Sequence, residues 1–92
     1  MPKCFAANYE PGPNWEPGKP IAQQPLREHV VYLNDLHDRE VVLMGGPFAD
    51  GTAGLVILEA SEIEEASQII NNDPAIRSGI LTAKVREWNR LV

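Results

Sequence analysis

The chain is 92 residues long, 43% hydrophobic and 23% charged, with a formal net charge of −5 and its eight Lys and Arg scattered without a basic run. A chain this short buries only about 60–65% of the surface its unfolded form exposes, so it needs an efficient core or a partner copy. Phosphate surfaces are bound by clustered cations, so this charge balance excludes nucleic acid and anionic membrane as partners, and the single Cys4 excludes an intrachain disulfide.

In chain order, "KCFAAN" reads as a first strand. The following "YEPGPNWEPGKPIAQQ" carries Pro11, Pro13, Pro17 and Pro20 with Gly12 and Gly18, and is predicted to hold no regular element. Loops of this length within a compact domain are uncommon and are often functional or mobile. A helix is predicted from near Pro25 to about Asp38, because proline suits the first helical turn. Leu26, Val30 and Leu33 recur in it at helical spacing as an apolar stripe. "EVVLMGGPF" is a second strand, and Asp50-Gly51 is a hairpin signal. "AGLVILEA" is a third strand, apolar on consecutive residues like the second. "SEIEEASQIINND" is a second helix, with Ser61 and Glu64 in the pattern of a capping box and Ile63, Ala66 and Ile70 as its stripe. Pro74 stops it and pushes Asp73 toward an extended conformation. In the last strand, "ILTAKVREW", Leu81, Ala83 and Val85 alternate with Thr82, Lys84 and Arg86.

The order β-α-β-β-α-β is the ferredoxin-like arrangement, an antiparallel sheet with two helices on one face. Two helices cover one face of the sheet, yet the second and third strands are apolar on both faces and are expected to be buried on both. The simplest cover for the second face is another copy of the chain, packed sheet to sheet about a two-fold axis, which makes the expected assembly a homodimer. The alternative is a monomer with the Pro-rich stretch folded across the sheet. The N-terminal "MPKCFAANYE" has no apolar core of signal-peptide length, and no run approaches a membrane span. With one cysteine, the expected setting is cytoplasmic.

Two residues stand out chemically. His29 sits at the edge of the first helix's apolar stripe, where its ring nitrogens need partners. Asp73, in "NNDPAI", ends the second helix. Both helices lie on one face of the sheet, so the two side chains can meet. A carboxylate bound to one imidazole nitrogen fixes the tautomer and makes the other nitrogen a better base. On spacing alone the commoner readings are a packed structural histidine and an Asp that forms a turn before Pro. His37 falls in the last helical turn, where free carbonyls suit it. Cys4 reads as a buried, inert strand residue. No His/Cys cluster has zinc-ligand spacing. "GGPFADGTAG" precedes a strand rather than a helix, so it is not a phosphate loop. Lys84, Arg86 and Arg90 either line an anion-binding interior or pair with glutamates at the surface.

"EHVVYLNDL", "LMGGPFADGTAGLVILEASEIEEA" and "NNDPAI" with a trailing strand and Trp88 resemble the YCII-related family, in order and spacing, over nearly the whole chain. The resemblance implies a dimeric α+β barrel and a site pairing His29 with Asp73. It further implies proton chemistry on small ring compounds, since related proteins include a dehydrochlorinase of chlorinated hydroxyquinol and, more distantly, muconolactone isomerase. The chain departs from the family at "HDREV", which lacks a glycine often found before the second strand.

The resulting expectation is one YCII-related domain over 1–92, a cytoplasmic homodimer without metal or organic cofactor, acting on a small-molecule ligand by elimination or isomerisation. His29 is the general base or acid and Asp73 orients it. Gly45, Gly46 and Pro47 shape a wall, where glycine allows close backbone approach. Phe48 either contacts an apolar ring or is ordinary core. Trp15 and Tyr9, on the long loop, either form a lid or pack on the partner subunit. The alternative function is a non-catalytic dimeric module that binds a small ligand or a protein, its histidine serving the fold.

Overall fold

Alternation along the strands decides the layers. The computed structural model describes residues 2–92. In β1 (Lys3–Pro11), Phe5, Ala7 and Tyr9 are buried while Cys4, Ala6 and Asn8 are half-buried. Successive strand side chains point to opposite faces, so the first set packs beneath the helices and the second lies on the helix-free face. β3 (Gly54–Ala60) and β4 (Leu81–Trp88) flank β1, and β2 (Val42–Pro47) pairs with the outer side of β3. Every neighbouring pair is antiparallel, in the order β2-β3-β1-β4. With α1 (Arg27–Asp38) and α2 (Ile63–Asn71), this is the ferredoxin-like α+β arrangement. A short third helix, α3 (Pro74–Arg77), is added before β4.

Several boundaries move for local reasons. β1 runs three residues past the expected end, because Tyr9, Glu10 and Pro11 pair with Ala83, Thr82 and Leu81 of β4. Pro11 is tolerated there as the strand's terminal residue. α1 begins at Arg27 rather than near Pro25. Its inward side is Tyr32, Leu33 and the fully packed Leu36, whereas Val30 is 53% exposed. The capping box does not form. α2 starts one residue later, and Glu65 reaches back to accept from the Ser61 N–H at 2.9 Å. Pro74 ends one helix and opens the next. Its ring is compatible with the first turn of α3, which Asp73 caps from an extended backbone.

β2 corrects the expectation that both middle strands are buried. β3 is central and buries Val56, Ile57 and Leu58 in succession, but β2 is an edge strand in which Met44 is 57% exposed. Among the described residues β2 has a strand neighbour on one side only, and its apolar run is left partly open. Cys4 is half-buried on the helix-free face rather than enclosed, and His37 is exposed.

The Pro-rich stretch is fastened to its own chain. The Gly12 N–H donates to Ile80 O at 2.9 Å and the Asn14 N–H to Gly79 O at 2.8 Å. A Cβ at Gly12 would collide with the Gly79 carbonyl, so this close approach requires glycine. A single 3-10 turn forms at Ile21–Gln23, where no regular element was expected. Just after it, Gln24 is buried, accepting from the Glu16 N–H and donating to the carbonyls of Glu16 and Lys19, each at 2.9 Å. The Ile21 N–H donates to Gly51 O at 3.0 Å, tying the stretch to the β2–β3 hairpin.

The turn after α1 is a Schellman motif. The Glu40 N–H donates to His37 O at 3.0 Å and the Val41 N–H to Leu36 O at 2.9 Å. Glu40 therefore holds the left-handed position, at φ 62°. This is the place where the family's glycine is missing. A side chain costs about 1–2 kcal/mol in that conformation, and glycine returns part of this as extra freedom in the unfolded chain. Glu40→Gly is expected to raise stability by a few tenths to about 1 kcal/mol, read as a higher urea midpoint; a lower midpoint would contradict the assignment of strain here.

Candidate active site

The site is built around one carboxylate. Asp73 is fully buried. Its Oδ1 accepts from the Ala75 N–H at 2.9 Å, which caps α3. Its Oδ2 accepts from the Tyr9 hydroxyl at 2.9 Å and lies 2.6 Å from His29 Nδ1. An ionised carboxylate has only acceptors, so Nδ1 carries the proton and donates. Thus β1, α1 and the α2–α3 junction each contribute to one cluster. Tyr9 also packs edge-on against the His29 ring, with centroids 5.3 Å apart and planes at 72°.

With Nδ1 committed, Nε2 is left as the acceptor. The His29 side chain is 11% exposed. No buried side-chain nitrogen or oxygen lacks a hydrogen-bond partner among the described residues, and no other bond to His29 is present. Nε2 is therefore not sealed in the core. His29 lines a cavity of about 470 Å³ between α1, the Ile21–Leu26 segment and the β2–β3 end of the sheet. Most of its wall is apolar, including Leu33, Leu55, Val56 and Leu81, with Gln24, Arg27 and Asn34 as polar members. A smaller cavity of about 230 Å³, lined by Pro25, Glu28 and Ser78 among others, also touches His29.

The structure places the expected site residues unequally. His29, Tyr9 and Asp73 are in contact, and Gly45, Gly46 and Pro47 form part of the cavity wall opposite α1. A Cβ on Gly45 would come within 3.0 Å of Val56 Cγ2, whereas one on Gly46 would meet nothing within 4 Å. Close packing therefore favours glycine at the first position and places no steric demand at the second. Tyr9 belongs to β1 and lies beneath His29, not on a loop above it. Trp15 packs against the hydrophobic core and Phe48 is 44% exposed on the hairpin; neither lines the cavity. Gln24 and Arg27 were not singled out. Gln24 carries no periodic signal, but Arg27 stands at i, i+3 and i+7 with Val30 and Asn34, which marks one side of the helix. Among the described residues no three His, Cys, Asp or Glu side chains gather as metal ligands do.

Burial, and then the neighbouring Asp73 charge and its hydrogen bond, push the Tyr9 phenol far above its ordinary value of 10.0. Burial and Asp73 also raise Tyr32, whose hydroxyl donates to Ile69 O at 2.6 Å. Folding therefore holds phenol protons that the unfolded chain releases near pH 10. The unfolded state binds fewer protons above that point, so stability falls as pH rises through it. Urea midpoints are expected to drop between about pH 8 and about pH 11, with absorbance at 295 nm showing little phenolate until the fold opens. Ordinary phenolate formation in the folded protein would contradict the buried cluster.

Three comparisons place the chain. The family model for the YCII-related domain matches residues 4–89. The uncharacterized protein YjpA of Bacillus subtilis is 35% identical over 66 residues, covering 72% of this chain and 78% of that protein. Among solved structures, the 5-chloro-2-hydroxyhydroquinone dehydrochlorinase TftG from Burkholderia phenoliruptrix, in complex with 2,5-dihydroxybenzoquinone, is similar with a TM-score of 0.64. That similarity covers 94% of both chains at 22% identity, a level that speaks to the fold. On the match to its family model and on the relationship to YjpA, the chain belongs to the YCII-related family.

Proposed function

We propose that the chain is a small-molecule enzyme that moves protons with His29 and Asp73. One observation carries this reading. His29 Nδ1 is held 2.6 Å from a fully buried carboxylate, while the same ring lines a largely apolar cavity. A histidine kept only for packing needs no open second nitrogen. In the proposed reaction Nε2 takes a proton from the bound substrate, and the electron pair left behind forms a new double bond. In elimination that pair expels a leaving group such as chloride. In isomerisation the existing double bond shifts, and the imidazolium returns the proton to a different carbon. Asp73 holds the tautomer and stabilises the imidazolium between the two transfers. Tyr9 positions Asp73 through its hydroxyl and is also part of the cavity wall.

The dehydrochlorinase with the similar fold supports the choice of reaction class. The family assignment is compatible with it, and a homodimer belongs to the same reading. The helix-free face carries Ile57, Met44 and Trp88, of which the last two are 57% and 43% exposed. Packing this face against its copy would cover the apolar side of β2 that the chain leaves open. Sedimentation equilibrium is expected to return twice the chain mass, and a strictly monomeric protein at micromolar concentration would remove this part of the reading.

The catalytic part is tested by screening chlorinated phenols and ring-containing acids for turnover. His29→Ala is expected to abolish it, and Asp73→Asn to lower kcat by about two to four orders of magnitude. Both variants are expected to keep the native circular dichroism spectrum. Full activity in His29→Ala would sink the mechanism. A blank across the panel with the native protein would favour a non-catalytic binding module.

A further inference from the structure

The cavity beside His29 differs in charge from the chain that builds it. The sequence has 13 Asp and Glu against eight Lys and Arg. Yet no carboxylate lines this cavity among the described residues, and Arg27 is its one permanently charged member. Asp73, the carboxylate bound to His29, has no exposed surface and is occupied by three donors. Its charge stays behind the His29 ring and the Tyr9 hydroxyl.

Arg27 is also free to act. It takes part in none of the ion pairs or side-chain hydrogen bonds found among the described residues, whereas Arg39 and Lys19 are engaged with Asp35 and Glu16. It begins α1, and with Val30 and Asn34 it forms the helix side that turns to the cavity. That role also explains Val30, whose 53% exposure would be wasteful in a core stripe but suits a binding wall. An unpaired guanidinium beside an apolar enclosure has a defined complement: an apolar body carrying a group that accepts two parallel N–H bonds.

We propose that this cavity selects small ring compounds in their anionic form and that Arg27 is the residue that reads the negative group. The apolar wall takes the ring, and the guanidinium pairs the carboxylate or phenolate oxygen. The bound ring is thereby oriented toward Nε2 of His29. The inference rests on the cavity being the substrate site, but it does not depend on turnover.

Benzoate and benzamide have nearly the same shape and differ in charge, which makes them the probes. Each is titrated into the full-length protein while the amide resonances of Leu33, Gly45 and Val56 are followed by NMR. Benzoate is expected to bind at least about tenfold more tightly than benzamide, the scale of one charge-assisted contact. Arg27→Gln is expected to erase the difference and Arg27→Lys to retain part of it. Equal binding of the two probes, an undiminished preference in Arg27→Gln, or no shift of these resonances with either probe would each overturn the proposal. Its failure is separable from that of the reaction. If His29→Ala keeps both full turnover and the preference for benzoate, the mechanism falls and the anion site stands. If His29→Ala abolishes turnover while Arg27→Gln changes neither probe's affinity, the anion site falls and the mechanism stands.

Discussion

A fully buried carboxylate is costly unless its oxygens are satisfied, and the architecture around Asp73 follows from that constraint. Its three donors come from places far apart in the sequence: a strand hydroxyl on Tyr9, a helix imidazole on His29, and the backbone of Ala75. Losing any one would leave a charge short of a partner away from water, which costs more than an ordinary hydrogen bond is worth. The carboxylate therefore pins β1, α1 and the start of α3 to a single point. It needs Tyr9 far enough along β1 to reach it, so the strand must extend past the predicted end. It needs Asp73 extended before Pro74, which is where a helix stops and another starts.

The same cluster satisfies the core and borders the cavity. Seen from the core, Tyr9, His29 and Asp73 are a satisfied polar network under two helices. His29 also lines the cavity, with Nδ1 committed to Asp73 and no hydrogen bond at Nε2 among the described residues. A tautomer fixed by a buried partner is a property of the fold, so it needs no ligand to set it up. The remaining walls are equally prebuilt. Gln24 fastens the segment that brings Ile21 to the cavity, and Gly12 latches the start of that segment to the turn before β4. The long Pro-rich stretch is thus a fixed strap, with Trp15 resting on the core rather than over the site.

The edge strand shows a limit of reasoning from hydrophobic pattern. Val41 to Met44 read as a strand buried on both faces. In the fold, β2 pairs with β3 and with no other strand among the described residues; beyond Val42, Leu43 is half-buried and Met44 exposed. The pattern predicted burial that this chain does not provide: Met44 is 57% exposed. A run of apolar residues marks a strand but does not say where in the sheet the strand will lie. Glu40 is the opposite case. The missing glycine in "HDREV" was visible in the sequence, and the helix nevertheless ends in the left-handed geometry that glycine normally supplies. Two satisfied carbonyls hold an unfavourable conformation in place.

The sequence by itself determined the order of the four strands and two main helices and singled out His29 and Asp73, which the fold brings into contact. These follow from periodicity, from proline's constraint on its neighbours, and from the resemblance carried by the His29, Gly-Pro-Phe and Asp-Pro segments. Only the tertiary structure decided what surrounds them. Tyr9 looked like loop because prolines follow it, and became a strand residue through pairing with Ala83 of β4. In the sequence Phe48 is open between a ring contact and ordinary core, and Trp15 between a lid and packing; both lie outside the cavity wall. Arg27 and Gln24 carried no motif and line that wall instead. A cavity is the space left between elements that approach from different parts of the chain. Local patterns fix where side chains point on each element, but not which elements come to face one another.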